Sequence, residues 1–162
     1  MRYRLALLAW LFLPMLPAGA QEPMTILEQK EWPARGVCVG LDQCGFCWAT
    51  DVSQAGVALR VEPPKDVSVS LSDHPGVTSA TLEIGAEAFA LTPSESTDPS
   101  ESGRFAAGGG EGAKIIQALR RESSLTLRLS GDPAPPSYRY SLEEFPKAYA
   151  AILKACPGTA VP

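Results

Sequence analysis

The stretch CVGLDQCGFCWA, Cys38 to Ala49, contains three of the four cysteines of the chain. Its centre, Cys44-Gly45-Phe46-Cys47, is a C-x-x-C motif, a spacing found in redox enzymes, in zinc sites and in structural disulfides. The fourth cysteine, Cys156, lies near the C-terminus. The way in which the four sulfurs pair therefore decides whether this segment is a reactive site or a structural anchor.

The first twenty residues have the layout of a cleaved secretory signal peptide. A short basic start precedes an apolar run from Leu5 to Leu16, and the small residues of Pro17-Ala-Gly-Ala20 follow it. The apolar run is too short for a permanent membrane anchor. We therefore expect cleavage after Ala20 and export to the periplasm or out of the cell.

The remaining chain has the size and charge of one exported domain. Without residues 1–20 it keeps 12 basic and 18 acidic residues, so its net charge is about −6. Such a surface repels nucleic-acid phosphates, and no basic cluster interleaved with aromatic residues is present. No later segment has the ~20 apolar residues that a membrane span needs. We expect a single β-rich domain over 21–157 with a short tail at 158–162, no nucleic-acid partner and no stable membrane span in the mature chain.

Short segments in which apolar and polar residues alternate predict several strands. Two of them flank Gly85 and predict a hairpin. The predicted strands or extended segments are Met24–Trp32, Val57–Val61, Val67–Leu71, Thr78–Ile84, Ala88–Leu91, Ser124–Ser130 and Tyr138–Tyr140.

Two further segments have helical periodicity. Residues 113–121, AKIIQALRR, place three apolar side chains on one face and two arginines in the last turn, where cations suit the helix dipole. Near the C-terminus, apolar residues recur from Phe145 to Cys156 at spacings of four, three and four. We expect this second helix to be regular from Pro146 and to pack on the sheet, carrying Cys156 with it.

The segments around these helices complete the expected fold. Ser141 and Glu144 fit the S-x-x-E capping box at the start of the second helix. Residues 93–112, rich in Ser, Pro, Gly and acidic residues, predict a mobile loop that is partly ordered at Phe105. Because strands do not alternate with helices, we predict a mainly β or α+β fold. It is a small antiparallel sandwich or curled sheet with two helices, the C-terminal one packed on the sheet.

The cysteines allow three interpretations. A redox pair of Cys44 and Cys47 would need a helix after the motif, and the residues after Cys47 have no helical apolar stripe. A zinc site is disfavoured because structural zinc sites use paired C-x-x-C knuckles and exported chains meet oxidising conditions. We favour two disulfides among Cys38, Cys44, Cys47 and Cys156, with no metal and no cofactor. One bridge is expected to run from the cluster to Cys156, with the other two cluster cysteines closing a small loop, although the sequence leaves all three pairings open.

No other set of residues predicts catalysis. His74 is the only histidine and stands in an Asp-His-Pro-Gly turn. Glu143 and Glu144 are neighbours, and neighbours do not face each other on a helix. Trp32 and Trp48 are expected to be packing residues of the core or its rim rather than a ligand platform. We therefore predict no catalytic residues, and enzymatic activity is disfavoured.

The stretches IIQALRRESSLTLRL (115–129) and YSLEEFPKAYAAILKAC (140–156) follow an order of helix, strand, S-L-x-x-F, helix and cysteine, and Trp32 precedes Cys38 near the mature start. In these features the chain resembles the invasion-associated locus B family of exported proteins of Gram-negative bacteria. It departs from the family at Glu144, where a glycine is usual, and in its C-G-F-C insertion. The resemblance implies a periplasmic or surface-associated protein, linked in some pathogens to host-cell invasion, without established catalytic residues.

Together these observations favour a non-enzymatic, disulfide-stabilised periplasmic or secreted domain that acts through contacts with another envelope or host protein. Exposed strand edges, or a groove beside residues 93–112, are the expected contact surface. Two alternatives stay open. One is a periplasmic thiol–disulfide oxidoreductase that uses Cys44 and Cys47, and the other is a small-ligand-binding domain with a pocket between sheet and helix. The oligomeric state does not follow from the sequence.

Overall fold

The computed structural model describes residues 23–38, 44–96 and 98–157, so the expected signal peptide and the tail at 158–162 lie outside the described residues. Within them the chain forms ten strands and two helices. The strands are β1 (Met24–Leu27), β2 (Ala34–Cys38), β3 (Cys44–Gln54), β4 (Val57–Glu62), β5 (Asp66–Leu71), β6 (Val77–Ile84), β7 (Glu87–Pro93), β8 (Gly103–Ala107), β9 (Ser124–Gly131) and β10 (Ser137–Ser141). The helices are α1 (Gly109–Arg121) and α2 (Phe145–Ala155).

All ten strands pair antiparallel in one curled sheet of order β1-β2-β3-β4-β5-β8-β7-β6-β9-β10. The predicted hairpin is confirmed as β6 and β7, and its turn needs a glycine because Gly85 has a φ of +60°. The turn between β3 and β4 likewise uses Gly56 at a φ of +71°. The prediction of a mainly β, curled antiparallel sheet with two helices is therefore confirmed.

The inner face of the sheet carries the core and both helices. Alternate residues of each strand are buried there, as in β4, where Val57, Leu59 and Val61 have at most 3% of their surface exposed. Helix α1 packs against β5, and α2 packs against β1, β2 and β3. The apolar face predicted for α2 is buried from Phe145 to Ile152, so docking of the C-terminal helix on the sheet is confirmed.

The two ends of the curled sheet are joined by side chains. Trp32 is fully buried, and its indole Nε1 donates a 2.8 Å hydrogen bond to the carbonyl of Ser141 at the end of β10. Its ring meets that of Phe145 edge-on, with 4.9 Å between centroids. The Gln54 amide, at the end of β3, donates to the carbonyl of Arg139 on β10. Because of these contacts, strands at opposite ends of the sheet order lie close together.

The expected order at Phe105 is present, but the prediction of a loop over 93–112 is wrong for residues 103–107 and 109–112, which belong to a strand and a helix. Residues 103–107 form β8, which pairs with β5 along its whole length and with the end of β7. Phe105 supplies the physical reason, because its side chain is 3% exposed and anchors the strand in the core. Helix α1 then begins at Gly109, four residues earlier than its apolar periodicity indicated.

The capping-box prediction is also wrong. Glu144 itself occupies the N-cap position of α2 without a side-chain capping bond, and the helix begins at Phe145. The Glu144 carboxylate accepts a 3.0 Å hydrogen bond from the backbone N–H of Glu31. The Ser141 hydroxyl instead accepts a hydrogen bond from the N–H of Glu143. Glu144 thus connects α2 to the N-terminal segment instead of closing its own helix.

Candidate functional site

Two disulfides occupy the segment around the C-x-x-C motif. Cys38 at the end of β2 is bonded to Cys44 at the start of β3, and Cys47 is bonded to Cys156 directly after α2. This agrees with the expected bridge from the cluster to Cys156 and the small loop closed by the other two cysteines. The structure thereby selects one of the three pairings that the sequence left open.

A shift in strand register at Gly45 brings the sulfurs together. Val37 pairs with Phe46 and Cys38 with Cys44, so Gly45 is an extra residue on β3. In a regular strand, residues three apart face opposite sides. Because of the extra residue, Cys44 and Cys47 both face inward, and their Sγ atoms and that of Cys156 lie within 4.8 Å of one another.

The hypothesis of a redox pair made by Cys44 and Cys47 needs a bond between these two residues, which this arrangement does not contain. The partners of these two cysteines are instead Cys38 on β2 and Cys156 directly after α2. The motif also lies on a strand, so the helix N-terminus that activates the first thiol in thioredoxin-like proteins is not present at Cys44.

The outer face of the sheet carries an aromatic patch, which we define as Phe46, Trp48 and Arg60. The rings of Phe46 and Trp48 stand 5.5 Å apart on β3. The guanidinium of Arg60, on the neighbouring strand β4, lies 4.2 Å from the Trp48 ring centroid and 5.3 Å from that of Phe46. Phe46 nevertheless keeps 43% of its surface exposed. With Val52, also on β3, it is one of two large hydrophobic residues exposed among those described.

Charged groups fix the arginine of the aromatic patch in place. Arg60 Nε lies 2.7 Å from a carboxylate oxygen of Glu62, two residues along β4. Burial lowers the pKa of the Arg60 guanidinium, and the charge of Glu62 opposes this shift. Burial also raises the pKa of Glu62, an effect that Arg60 opposes. Arg60 is held over the rings by this ion pair, so the aromatic patch is a preformed surface.

A groove of about 240 Å³ lies on the same face of the sheet, lined by residues that include Glu62, Ser68 and Arg104. Ser68 pairs with Arg60 across β4 and β5 and is buried. This groove adjoins β8, so it corresponds to the groove expected beside residues 93–112. Two larger surface grooves lie against α2, one of about 420 Å³ between α1 and α2 and one of about 430 Å³ between β1 and α2.

The other residues considered for chemistry are in structural settings. The Nε2 atom of His74, which stands between β5 and β6, lies 2.8 Å from the hydroxyl of Tyr138 on β10. Trp32 lies in the core, as expected of a packing residue, whereas Trp48 is half-buried on the outer face of the sheet. Glu143 donates its N–H to Ser141. Of the described residues, none forms a nucleophile, base and acid set around His74.

Sequence reasoning missed two buried polar side chains, Asp51 and Tyr140, where β3 and β10 approach each other. Asp51 is 1% exposed, and one of its carboxylate oxygens accepts a 2.7 Å hydrogen bond from the N–H of Ser53. Burial raises the pKa of the Asp51 carboxyl, while the bonds to Ser53 oppose the shift and the charge of Glu31 adds to it. Burial and the nearby charge of Asp51 also raise the pKa of the Tyr140 hydroxyl. An aspartate in an alternating strand gives no sequence signal of burial, since that position is normally solvated.

Comparison with protein-family models, with curated proteins and with solved structures finds no match for the chain. Neither helix of the described residues is long and apolar enough to cross a membrane.

Proposed function

We propose that the chain is an exported, non-enzymatic domain that acts through protein–protein contacts made at the aromatic patch. The observation that carries this proposal is the exposed ring of Phe46, held beside Trp48 and under Arg60 on the outer face of the sheet. Phe, Trp and Arg are the residue types enriched at protein interfaces and at their energetic hot spots. The Phe46 side chain points away from the core, so it makes no contribution to core packing that would explain a phenylalanine at this position.

The partner is a protein segment that places an aromatic or long aliphatic side chain against the Phe46 ring. The patch lies on β3, two strands in from β1, so a partner segment would contact it across the outer face of the sheet and not by adding a strand to an edge. Among the described residues, the two large hydrophobic side chains that are exposed are Phe46 and Val52. Both lie on β3, so the apolar surface open to a partner is concentrated on this strand. Arg60 borders the rings with a cation already paired to Glu62, so binding leaves no charge unpaired.

Site-specific photo-crosslinking in the native cell tests this location. A benzoylphenylalanine at position 46 or 48 should crosslink to the same discrete protein. The same group at Ala90, an exposed outer-face position on β7, should not. Crosslinks of equal yield at all three positions would contradict the proposal.

Binding of the purified partner then tests the energetics. Phe46→Ala should weaken binding by about thirtyfold, the loss expected for a 2 kcal/mol hot spot. Arg60→Ala should also weaken it, whereas Arg128→Ala, which removes an exposed arginine of β9, is the matched control and should not. Calorimetric titration gives all three affinities. Self-association of the purified domain that Phe46→Ala abolishes would show that the occupant is a second copy.

Export is proposed from the disulfides and the signal-peptide layout. Two disulfides persist in an oxidising compartment such as the periplasm, where neighbouring thiols are oxidised. The mass of the protein isolated from a periplasmic or culture fraction should correspond to a chain that begins at Gln21, with no free thiol. Recovery of the full-length chain from the cytoplasm with reduced cysteines would contradict this part of the proposal.

Kinship to the invasion-associated locus B family is proposed from the S-L-x-x-F motif. Leu142 and Phe145 of this motif are both fully buried at the start of α2, so the shared residues are those that fix this helix on the sheet. A determined structure of a family member with the strand order β5-β8-β7 would support the kinship. A different order would contradict it.

The proposal that the domain is not a thiol–disulfide oxidoreductase can be assayed directly. The purified protein should show no turnover in insulin reduction, since its C-x-x-C cysteines are in two different bridges. Turnover that disappears in a Cys44→Ser variant would contradict it.

A further inference from the structure

The sulfur atoms of Cys44, Cys47 and Cys156 lie closer together than two independent structural disulfides require, and we call them the three-sulfur cluster. The Sγ atoms of all three lie within 4.8 Å of one another, although only Cys47 and Cys156 are bonded among them. Cys44 belongs to the other bridge. A thiolate released at Cys44 would therefore arise already next to a disulfide, which is the arrangement that thiol–disulfide exchange requires.

The two bridges differ in their access to solvent. Cys47 and Cys156 are each 1% exposed, so no external thiol reaches their bond directly. Cys38 is partly exposed, and Cys44 lines the groove of about 430 Å³ between β1 and α2. Lys154 lines the same groove, so a cation borders the path by which a thiolate reagent approaches.

We propose that the two bridges form an exchange relay, in which a dithiol attacks the accessible Cys38–Cys44 bond and Cys44 then attacks the buried bridge. The dithiol's first sulfur attacks Cys38 Sγ, a mixed disulfide forms, and Cys44 leaves as a thiolate. The Cys44 thiolate attacks Cys156 Sγ, the Cys44–Cys156 bond forms, and Cys47 leaves as a thiolate and takes a proton. The dithiol's second sulfur then displaces Cys38. The net result is one oxidised dithiol, one disulfide between Cys44 and Cys156, and two thiols at Cys38 and Cys47.

Attack on Cys156 rather than on Cys47 follows from the strand. Cys44 and Cys47 belong to the same extended strand, whose pairing with β2 would have to change to close a bond between residues three apart. Cys156 belongs to a different element, the end of α2, and approaches both β3 cysteines. Exchange therefore moves the attachment of the C-terminal helix from one residue of β3 to another without releasing the helix.

A pair of single-cysteine variants separates the relay from two independent bridges. Cys38→Ser leaves Cys44 as the odd thiol inside the cluster, whereas Cys44→Ser leaves Cys38 as the odd thiol outside it. Each purified protein is quenched with acid, unfolded in denaturant and only then alkylated, because a thiol at Cys47 is buried in the folded protein. Chymotrypsin cleavage after Phe46 then separates Cys44 from Cys47. In Cys38→Ser the label should shift from Cys44 to Cys47, together with a linked peptide that joins Cys44 to Cys156. In the matched control Cys44→Ser, the label should stay on Cys38.

Label confined to Cys44 in the Cys38→Ser variant, with the Cys47–Cys156 bridge intact, would overturn the relay. The native protein provides a second test that does not depend on the folding of a variant. Limiting dithiothreitol, followed by acid quenching and alkylation, should produce thiols at Cys38 and Cys47. Thiols at Cys38 and Cys44 instead would show that reduction stops at the first bridge, and would equally overturn the relay.

Discussion

The two disulfides lie side by side, yet they join very different parts of the chain. Cys38 and Cys44 are six residues apart and close a short loop between β2 and β3. Cys47 and Cys156 are 109 residues apart and join β3 to the end of α2. In the chain-entropy model, closing these loops stabilises the fold by about 2 kcal/mol and nearly 5 kcal/mol respectively. The two disulfides therefore contribute unequally to stability, because closing the longer loop removes more conformational freedom from the unfolded chain.

The largest expected effect is loss of the long bridge. A Cys47→Ala, Cys156→Ala double variant should lower the free energy of unfolding by about 4–5 kcal/mol, comparable to the whole stability margin of a small domain. Urea denaturation followed by circular dichroism measures this loss. A loss no larger than that of a Cys38→Ala, Cys44→Ala double variant would contradict the unequal contributions of the two bridges.

Loosening the packing of α2 should have the second largest effect on stability. Phe145→Ala should cost about 3–4 kcal/mol, because it removes a fully buried ring that contacts Trp32 and leaves a cavity. Lys147→Ala, an exposed change on the same helix, is the matched control and should change stability by less than about 0.5 kcal/mol. Equal denaturation midpoints for the two variants would show that the disulfide alone holds the helix.

Loss of the short bridge should matter less. A Cys38→Ala, Cys44→Ala double variant is expected to lose about 2 kcal/mol, with α2 still attached through Cys47 and Cys156. The same denaturation experiment measures it. Far-ultraviolet dichroism should show native helix content under native conditions, and a loss of helix would contradict the separation of the two bridges.

The smallest effect concerns Asp51, which faces the core on β3 at the end remote from the disulfides. Its raised pKa means that the folded state favours the protonated carboxyl. Stability therefore falls as the pH rises from the ordinary value of 3.8 through the raised pKa of the folded state. Asp51→Asn removes this pH-dependent contribution to stability. The Tm of the variant minus the Tm of the native protein should therefore increase across that pH range and stay constant above it. A constant difference in Tm, measured by scanning calorimetry at several pH values, would contradict the buried-carboxyl explanation.

Periodicity was sufficient to predict the elements whose alternation or apolar spacing is unbroken. Ser124–Ser130 alternates strictly and forms β9 with one residue added, and the apolar spacing from Phe145 to Cys156 predicts α2. In both cases the pattern lies within one segment and reports directly on burial. Two disulfides with a bridge to Cys156 were predictable on a different ground, the even cysteine count together with the signal-peptide layout of residues 1–20.

Features that depend on pairing between distant segments were not predictable. Strand β3 was missed because Gly45 breaks the alternation, and β8 because its five residues stand among Ser, Gly and acidic residues. The aromatic patch needs Arg60 of β4 to lie over side chains of β3, and this follows from register rather than from either segment alone. Glu144 matched a local capping pattern, but its bond to the N–H of Glu31 was formed instead.

The position of β8 has a consequence for cooperativity. This five-residue strand pairs with β5 on one side and β7 on the other. Among the described strands, it alone links the half made of β1, β2, β3, β4 and β5 to the half made of β7, β6, β9 and β10 in the sheet order. Until residues 103–107 are in place, β5 lacks its second neighbour and the last two residues of β7 lack their partners. Phe105 is buried where the halves meet. The two halves should therefore unfold together in a single transition rather than as separate units, because loss of this short central strand exposes both at once.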